Sequence, residues 1–298
     1  MISASILQTL TYSDYFGFPL TEAEIYTRLI SPQVLAKDRS ELLHKFGSLS
    51  GLQQAIKKLI SQNKIGKSGQ YYYLKGRSML VTQRRSRERL SIAKLALAKS
   101  LALRLSHVPS VLAIYLTGSL AMLNSGGESD IDFMIITKSH RLWTTRILLT
   151  IYTELLGLRR RPKDQHSSGK ICLNLYLTPT SYVLPPAKQS LFTAYELVQA
   201  VPLFDPHATR PALLGANSWI DKYLPNFPLP AAQRSDLVGC KSDQKPTRSD
   251  LVGIIEKICY HLQLCYMQGK LTQEYITPDS AFFHPSNPGD EVLKKLQV

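Results

Sequence analysis

Two aspartates one residue apart, Asp130 and Asp132, open an apolar run that continues Phe133-Met134-Ile135-Ile136. Side chains alternate across a strand, so the two carboxylates are expected on one face while Ile131, Phe133 and Ile135 turn into a core. Paired carboxylates without His or Cys suit a hard cation such as Mg²⁺ (or Mn²⁺), which takes oxygen ligands and completes its shell with phosphates and water. A nucleoside triphosphate is the natural co-ligand of such an ion. Upstream, Thr117-Gly118-Ser119 closes a second apolar run, Val111 to Leu116. Glycine lets the backbone approach a ligand closely, and the Ser119 hydroxyl, with free amides of a short helix expected over Leu120 to Leu123, can hold phosphate oxygens. These pieces fit phosphoryl or nucleotidyl transfer.

The elements that must position them are three strands, Val111–Leu116, Asp130–Ile136 and Ile171–Leu177, with a helix from Leu142 to Leu158 between the last two. An apolar-Gly-Ser unit, an intervening loop, and Asp-x-Asp opening a strand, spanning Leu116 to Ile136, resembles the signature of the DNA polymerase beta-like nucleotidyltransferase superfamily. The resemblance implies a mixed sheet flanked by helices, with metal on Asp130 and Asp132 and the triphosphate on Gly118 and Ser119. Lys170, directly before the third strand, is a further candidate for the triphosphate. The resemblance also implies a third carboxylate on a later strand, and here the alternation of Ile171–Leu177 places Asn174 at that position. An amide oxygen can ligate a metal but carries no charge and takes no proton at neutral pH. Two explanations stay open: Glu128 or Asp164, on nearby loops, supplies the acid, or the domain binds nucleotide and metal and transfers slowly or not at all.

The first eighty residues read as a separate unit. Pro19 and the Thr21-x-x-Glu24 capping box start a helix; Ile6, Leu7, Leu10 and Phe16 suggest one before it, and Leu52, Ile56, Leu59 and Ile60 one after it. Lys64 to Leu74 reads as a hairpin turning at Gly66-Lys67-Ser68-Gly69. Three helices and a basic hairpin resemble a winged helix-turn-helix. The resemblance implies Gln53, Gln54, Lys57 and Lys58 facing a DNA or RNA groove and Lys64 and Lys67 against phosphates. The competing reading is a unit that contacts protein or supports its neighbour. The expected organisation is therefore an α+β chain: a winged helix over 1–80, a nucleotidyltransferase domain with its connecting helix (Arg84 to Ser106) over 81–228, a linker over 229–249 and a C-terminal helical segment over 250–298.

The charge surplus points to a polyanionic partner or serves solubility alone. Lys and Arg number 36 against 22 Asp and Glu, a net +14, and residues 51–100 hold twelve basic residues and one acid. A second cluster, Arg159, Arg160, Arg161 and Lys163, is either a phosphate contact or a solvated helix end favoured by the helix dipole. Cys172, Cys240, Cys259 and Cys265 show no metal-ligand spacing and read as reduced packing residues. No apolar run reaches the ~20 residues of a membrane span and no basic leader precedes Ile2, so a cytoplasmic protein is expected. Helices are expected over Leu191–Val201 and within Pro211–Leu224. Leu251, Ile254, Ile255, Ile258, Leu262 and Cys265 form the apolar stripe of a final helix expected to pack on the core. The hexapeptide Arg234–Gly239 recurs as Arg248–Gly253, too short to signal a repeat fold.

Overall fold

The capping box forms as read. Helix α1 (Ile2–Tyr15) is followed by β1 (Leu20–Thr21), α2 (Glu22–Thr27) and α3 (Leu49–Ser61). At the start of α2 the Thr21 hydroxyl accepts from the Glu24 amide at 3.3 Å while Glu24 Oε2 accepts from the Thr21 amide at 2.8 Å. Leu52, Ala55, Ile56 and Leu59 of α3 bury against Ile6, Leu10 and Ile25. β2 (Ile65–Ser68) pairs antiparallel with β3 (Tyr71–Leu74), and β1 adds to the far side of β3. Ser68 stands opposite Tyr71, so the turn is Gly69-Gln70 rather than Gly66 to Gly69. Gly69, at φ +58°, supplies the left-handed backbone a two-residue turn needs. The structure is a computed structural model, and it describes residues 2–32, 48–161, 164, 168–230, 249–269, 272, 274–283 and 292.

The boundary expected at residue 80 falls inside a continuous helix, α4 (Met79–Leu105). Arg84 of α4 reaches back to Glu24, with Nη1 and Nη2 each 2.8 Å from a carboxylate oxygen, and lies over the Phe18 ring. Tyr12 of α1 stacks on Tyr195 with ring centroids 4.1 Å apart, and Tyr12 and Ile30 belong to the main apolar core. The N-terminal unit thus shares its packing with the larger body of the chain.

From α4 the chain enters β4 (Val111–Leu116), α5 (Gly118–Ala121), β5 (Ile131–Thr137), α6 (Leu142–Leu155) and β6 (Ile171–Leu177). It continues through α7 (Leu191–Gln199), β7 (Val201–Phe204), α8 (Thr209–Gly215), α9 (Ser249–Met267), β8 (Tyr275–Ile276) and β9 (Ser280–Phe282). The result is a mixed α+β fold in which six strands form one sheet, ordered β7-β4-β5-β6-β9-β8. Only β5 and β6 run parallel, with α6 as the crossover; the other neighbours are antiparallel. One face buries Ala113, Tyr115, Met134 and Leu175 with α7 and α8, and the other buries Ile114, Leu116, Phe133 and Ile135 with α4 and α6.

Several expected elements differ. The short helix begins at Gly118, two residues early, and Leu123 lies beyond it at φ +53°. The helix after Leu191 stops at Gln199 because Val201–Phe204 is drawn into the sheet beside β4. Pro211–Leu224 divides into the end of α8 and a 3₁₀ turn, Ser218–Lys222. The C-terminal segment is not purely helical: β9 pairs with β6 and widens the sheet. Helix α9 docks, but through its other face. Glu256 accepts from the Trp143 and Thr144 amides at the start of α6, Gln263 Nε2 donates to the Trp143 carbonyl, and Tyr260 packs on the Trp143 ring. These anchors decide the rotation of the helix and leave Leu251, Ile254, Ile255, Ile258 and Leu262 exposed. The expected linker falls mostly on residues 231–248, outside the described residues, together with Cys240 and the first hexapeptide copy. Among the described residues no helix is long and apolar enough to cross a membrane.

Candidate active site

The end of β4 and the starts of β5 and β6 lie side by side at one end of the sheet, and the residues with chemistry collect there. Thr117 continues β4 in register, its amide donating to the Asp132 carbonyl at 2.9 Å. Gly118 then turns at φ +64°, a conformation glycine adopts without penalty. A Cβ on Gly118 would stand 2.2 Å from Asp132 Oδ2, so this glycine is required twice, by its backbone angle and by the carboxylate against it. Ser119 follows half-buried, and its carbonyl accepts from the Asn124 amide at 2.9 Å, closing the loop.

Asp130 and Asp132 converge as the alternation of β5 requires, and a third donor joins them. Ligand atoms of Asp130, Asp132 and Cys172 all lie within 4.8 Å of one another, the one such cluster among the described residues. The parallel register explains it: Asp132 pairs with Cys172, and paired residues of neighbouring strands share a face. Cys172 is therefore not the packing residue expected from its isolation in sequence. Asn174 is the extra residue of a bulge, since Phe133 pairs with Leu173 and Met134 with Leu175. The bulge keeps Asn174 on the site's face, where its Nδ2 donates to Asp132 Oδ1 at 2.5 Å and its Oδ1 accepts from the Cys172 thiol. The position read for the third acid is thus beside Asp132, and it holds an amide.

One cation already rests on this cluster. Arg160 Nη1 donates to Asp130 Oδ2 at 2.7 Å, with the Cys172 thiol nearby. Burial lowers the Arg160 pKa, but the Asp130 and Cys172 contacts outweigh it and the net shift is upward. The Cys172 thiol is pushed up to about 12, first by burial and then by the Asp132 and Asp130 charges. Its basic neighbours are differently engaged: Arg159 and Arg161 both pair with Glu154, and Lys163 lies outside the described residues.

Two other expectations are not met. Lys170 Nζ bonds Asp164 Oδ2 at 2.7 Å and lines a separate small hollow with Glu154, Arg159 and Arg161, not the cavity of the aspartates. Its backbone carbonyl, in contrast, holds the Ile131 amide at 2.8 Å, so the strand-start position orients Lys170 structurally. Asp164 lines that same hollow, and Glu128 does not line the cavity of the aspartates.

The cavity over the cluster measures about 570 Å³, within the roughly 300–1,000 Å³ typical of small-molecule sites. Gly118, Ser119, Asp130, Asp132 and Asn174 form its polar floor. Tyr12 of α1 and Phe16 just after it, with Phe18, Phe192 and Phe283, form an aromatic wall that sequence reasoning did not find, because these residues come from distant segments. The loop between α5 and β5 is held by Lys94, whose Nζ donates to the Gly126, Gly127 and Ser129 carbonyls at 2.6, 2.8 and 2.9 Å. Burial lowers the Lys94 pKa against the opposing pull of Glu128 and Asp130. Asn124 ties the same loop to the turn after α1 by donating to the Phe16 carbonyl at 3.0 Å, and accepts from Arg87 at 3.1 Å. The donor set suits a divalent ion: two carboxylates, a thiol and an amide oxygen on one edge, beside a backbone turn cleared of any side chain. Comparison of the chain with family models, curated proteins and solved structures returns no match.

Proposed function

We propose that the chain is a metal-dependent nucleotidyltransferase that moves a nucleoside monophosphate from a triphosphate to an acceptor hydroxyl. The observation that carries this reading is the contact of Gly118 with Asp132: the glycine turn and the metal carboxylate occupy one site, and the turn tolerates no side chain. Asp130 and Asp132 would hold a divalent ion, Mg²⁺ or Mn²⁺ on the carboxylates alone. Such an ion neutralises triphosphate charge and lowers the pKa of an acceptor hydroxyl. Ser119 donates its hydroxyl to a phosphate oxygen, and the exposed Gly118 amide lies beside it. Arg160, released from Asp130, places a guanidinium within reach of the phosphates, where planar donors are effective. The aromatic wall offers faces on which a nucleobase stacks. The three-helix unit reads best as a winged helix whose exposed Lys57, Lys58, Lys64 and Lys67 meet nucleic-acid phosphate.

Asn174 favours a second reading, in which the cavity binds nucleotide without transferring it and the N-terminal unit reports occupancy to DNA or RNA. No group in the donor cluster other than the two aspartates is a carboxylate. Incubation with each labelled triphosphate, Mg²⁺ or Mn²⁺ and RNA, protein and small-molecule hydroxyl acceptors separates the two. Pyrophosphate release with label transfer, lost in Asp132→Asn, supports the enzyme. Saturable nucleotide binding without transfer supports the sensor, and no binding of any triphosphate defeats both.

A further inference from the structure

We infer that Cys172 is the third metal donor of this site and that it selects a thiophilic divalent ion, of the Zn²⁺ or Co²⁺ type, over Mg²⁺. The inference rests on the metal-dependent reading above and goes beyond it in naming which ion the donors fit. Three observations carry it. Cys172 is the strand partner of Asp132, so its Sγ projects from the same face by register rather than by chance of rotamer. The three ligand atoms lie within 4.8 Å of one another. Tetrahedral bonds to a Zn²⁺-like ion, of roughly 2.0 and 2.3 Å, set neighbouring donors about 3.5 Å apart, so the cluster closes on one ion with side-chain shifts of about 1 Å or less. The cluster also already attracts a positive charge, because the Arg160 guanidinium donates to Asp130.

Donor chemistry then decides the ion. Mg²⁺ takes oxygen ligands and gains little from sulfur, whereas thiolate ligands draw borderline and soft ions. On ligation the Cys172 S–H bond breaks, the sulfur electron pair goes to the metal, and the proton leaves to solvent. Asp130 and Asp132 bind through oxygen, and the guanidinium of Arg160 gives up its place to the incoming ion. The absent third carboxylate is thereby replaced by a sulfur donor two residues before Asn174, and the site's negative charge is kept.

The test compares wild type with Cys172→Ser and Cys172→Ala. Each is titrated with Co²⁺, with and without ATP, by absorption spectroscopy, and with Mg²⁺–ATP by calorimetry. Circular dichroism establishes that each variant is folded. The wild type is expected to develop a near-ultraviolet sulfur-to-cobalt charge-transfer band on Co²⁺ addition. Both variants are expected to lose that band and to bind Co²⁺ at least about tenfold more weakly, a larger loss than in Mg²⁺–ATP affinity, because Mg²⁺ gains little from sulfur. Co²⁺ binding with visible d–d bands and no charge-transfer band overturns the inference and leaves the metal-dependent reading standing. A charge-transfer band that persists in Cys172→Ser overturns it as well, by assigning the sulfur to another cysteine. Failure of the wild type to bind Co²⁺ or Mg²⁺, with or without ATP, overturns both.

Discussion

Gly118→Ala perturbs the site by one methyl group. At φ +64° the new side chain meets the left-handed strain of roughly 1–2 kcal/mol that any non-glycine residue carries. It also meets Asp132, with the Cβ 2.2 Å from Oδ2 and 3.0 Å from Cγ. Ordinary van der Waals separation requires the carboxylate to retreat by about 1 Å, and a misplacement of about 1 Å at a reacting site costs on the order of 100-fold. Gly76→Ala is the matched control, since Gly76 has φ +81° with nothing within 4 Å of its would-be Cβ. Thermal melting and Mn²⁺–ATP calorimetry on both variants separate strain from displacement. Both are expected to melt a few degrees lower, as about 1–2 kcal/mol implies for a chain of this size. Gly118→Ala is expected in addition to bind Mn²⁺–ATP about 10- to 100-fold more weakly, and Gly76→Ala to bind as wild type does. Wild-type affinity in Gly118→Ala refutes the coupling of the turn to the carboxylate.

Three further outcomes are expected from the packing and the surface charge. Glu256→Gln keeps the shape of the carboxylate that caps α6 but removes its charge and turns a donor toward the Trp143 and Thr144 amides; urea unfolding is expected to show a loss of about 2 kcal/mol. Burial alone would raise the Glu24 pKa, but the Arg84 hydrogen bond and charge, the Thr21 amide and Arg28 carry it below its ordinary 4.5. A depressed carboxylate pKa stabilises the fold above the unfolded value and ceases to do so as pH falls through the folded one. Arg84→Met is therefore expected to be about 2 kcal/mol less stable than wild type at pH 7, and urea midpoints of the two should converge as the pH drops below Glu24's ordinary 4.5. Replacing Lys57, Lys58, Lys64 and Lys67 by Gln is expected to flatten the salt dependence of nucleic-acid binding, by about 0.9 in log–log slope for each phosphate contact to duplex DNA removed. An unchanged slope in a filter-binding or anisotropy assay assigns those lysines no phosphate.

Much of the site's floor was legible because it depends on local rules. Strand alternation alone brings Asp130 and Asp132 to one face, and a glycine before Ser119 marks the tight turn. Cys172 and Arg160 were not legible, because their place depends on the parallel register of β5 with β6 and on the Arg160 amide held by the Ile171 carbonyl. Aligning Ile131 with Ile171 as the first buried residues of two neighbouring strands would have set Cys172 against Asp132; that apolar match is the signal available. Lys170 was misread because proximity in sequence to a strand start does not say which way a long side chain leaves it. The C-terminal helix shows the same limit. Its stripe of Leu251, Ile254, Ile255, Ile258 and Leu262 predicts a buried face, yet the buried Glu256, bonded to the α6 amides, fixes the opposite rotation. Short strands such as Ser280–Phe282 and Tyr275–Ile276 carry no periodicity of their own; the first is a strand because it pairs on β6, the second because it pairs on the first.

The central claim is that Asp130 and Asp132 together hold a divalent ion that carries a nucleotide. Electron paramagnetic resonance of Mn²⁺ in the presence of ATP reads this directly, because protein binding of the Mn²⁺–ATP complex broadens its spectrum. Wild type is expected to titrate the signal to saturation, and the Asp130→Asn, Asp132→Asn double variant to leave the Mn²⁺–ATP spectrum unaltered. A wild-type protein without effect on that spectrum, or a double variant that binds the complex equally well, contradicts the account.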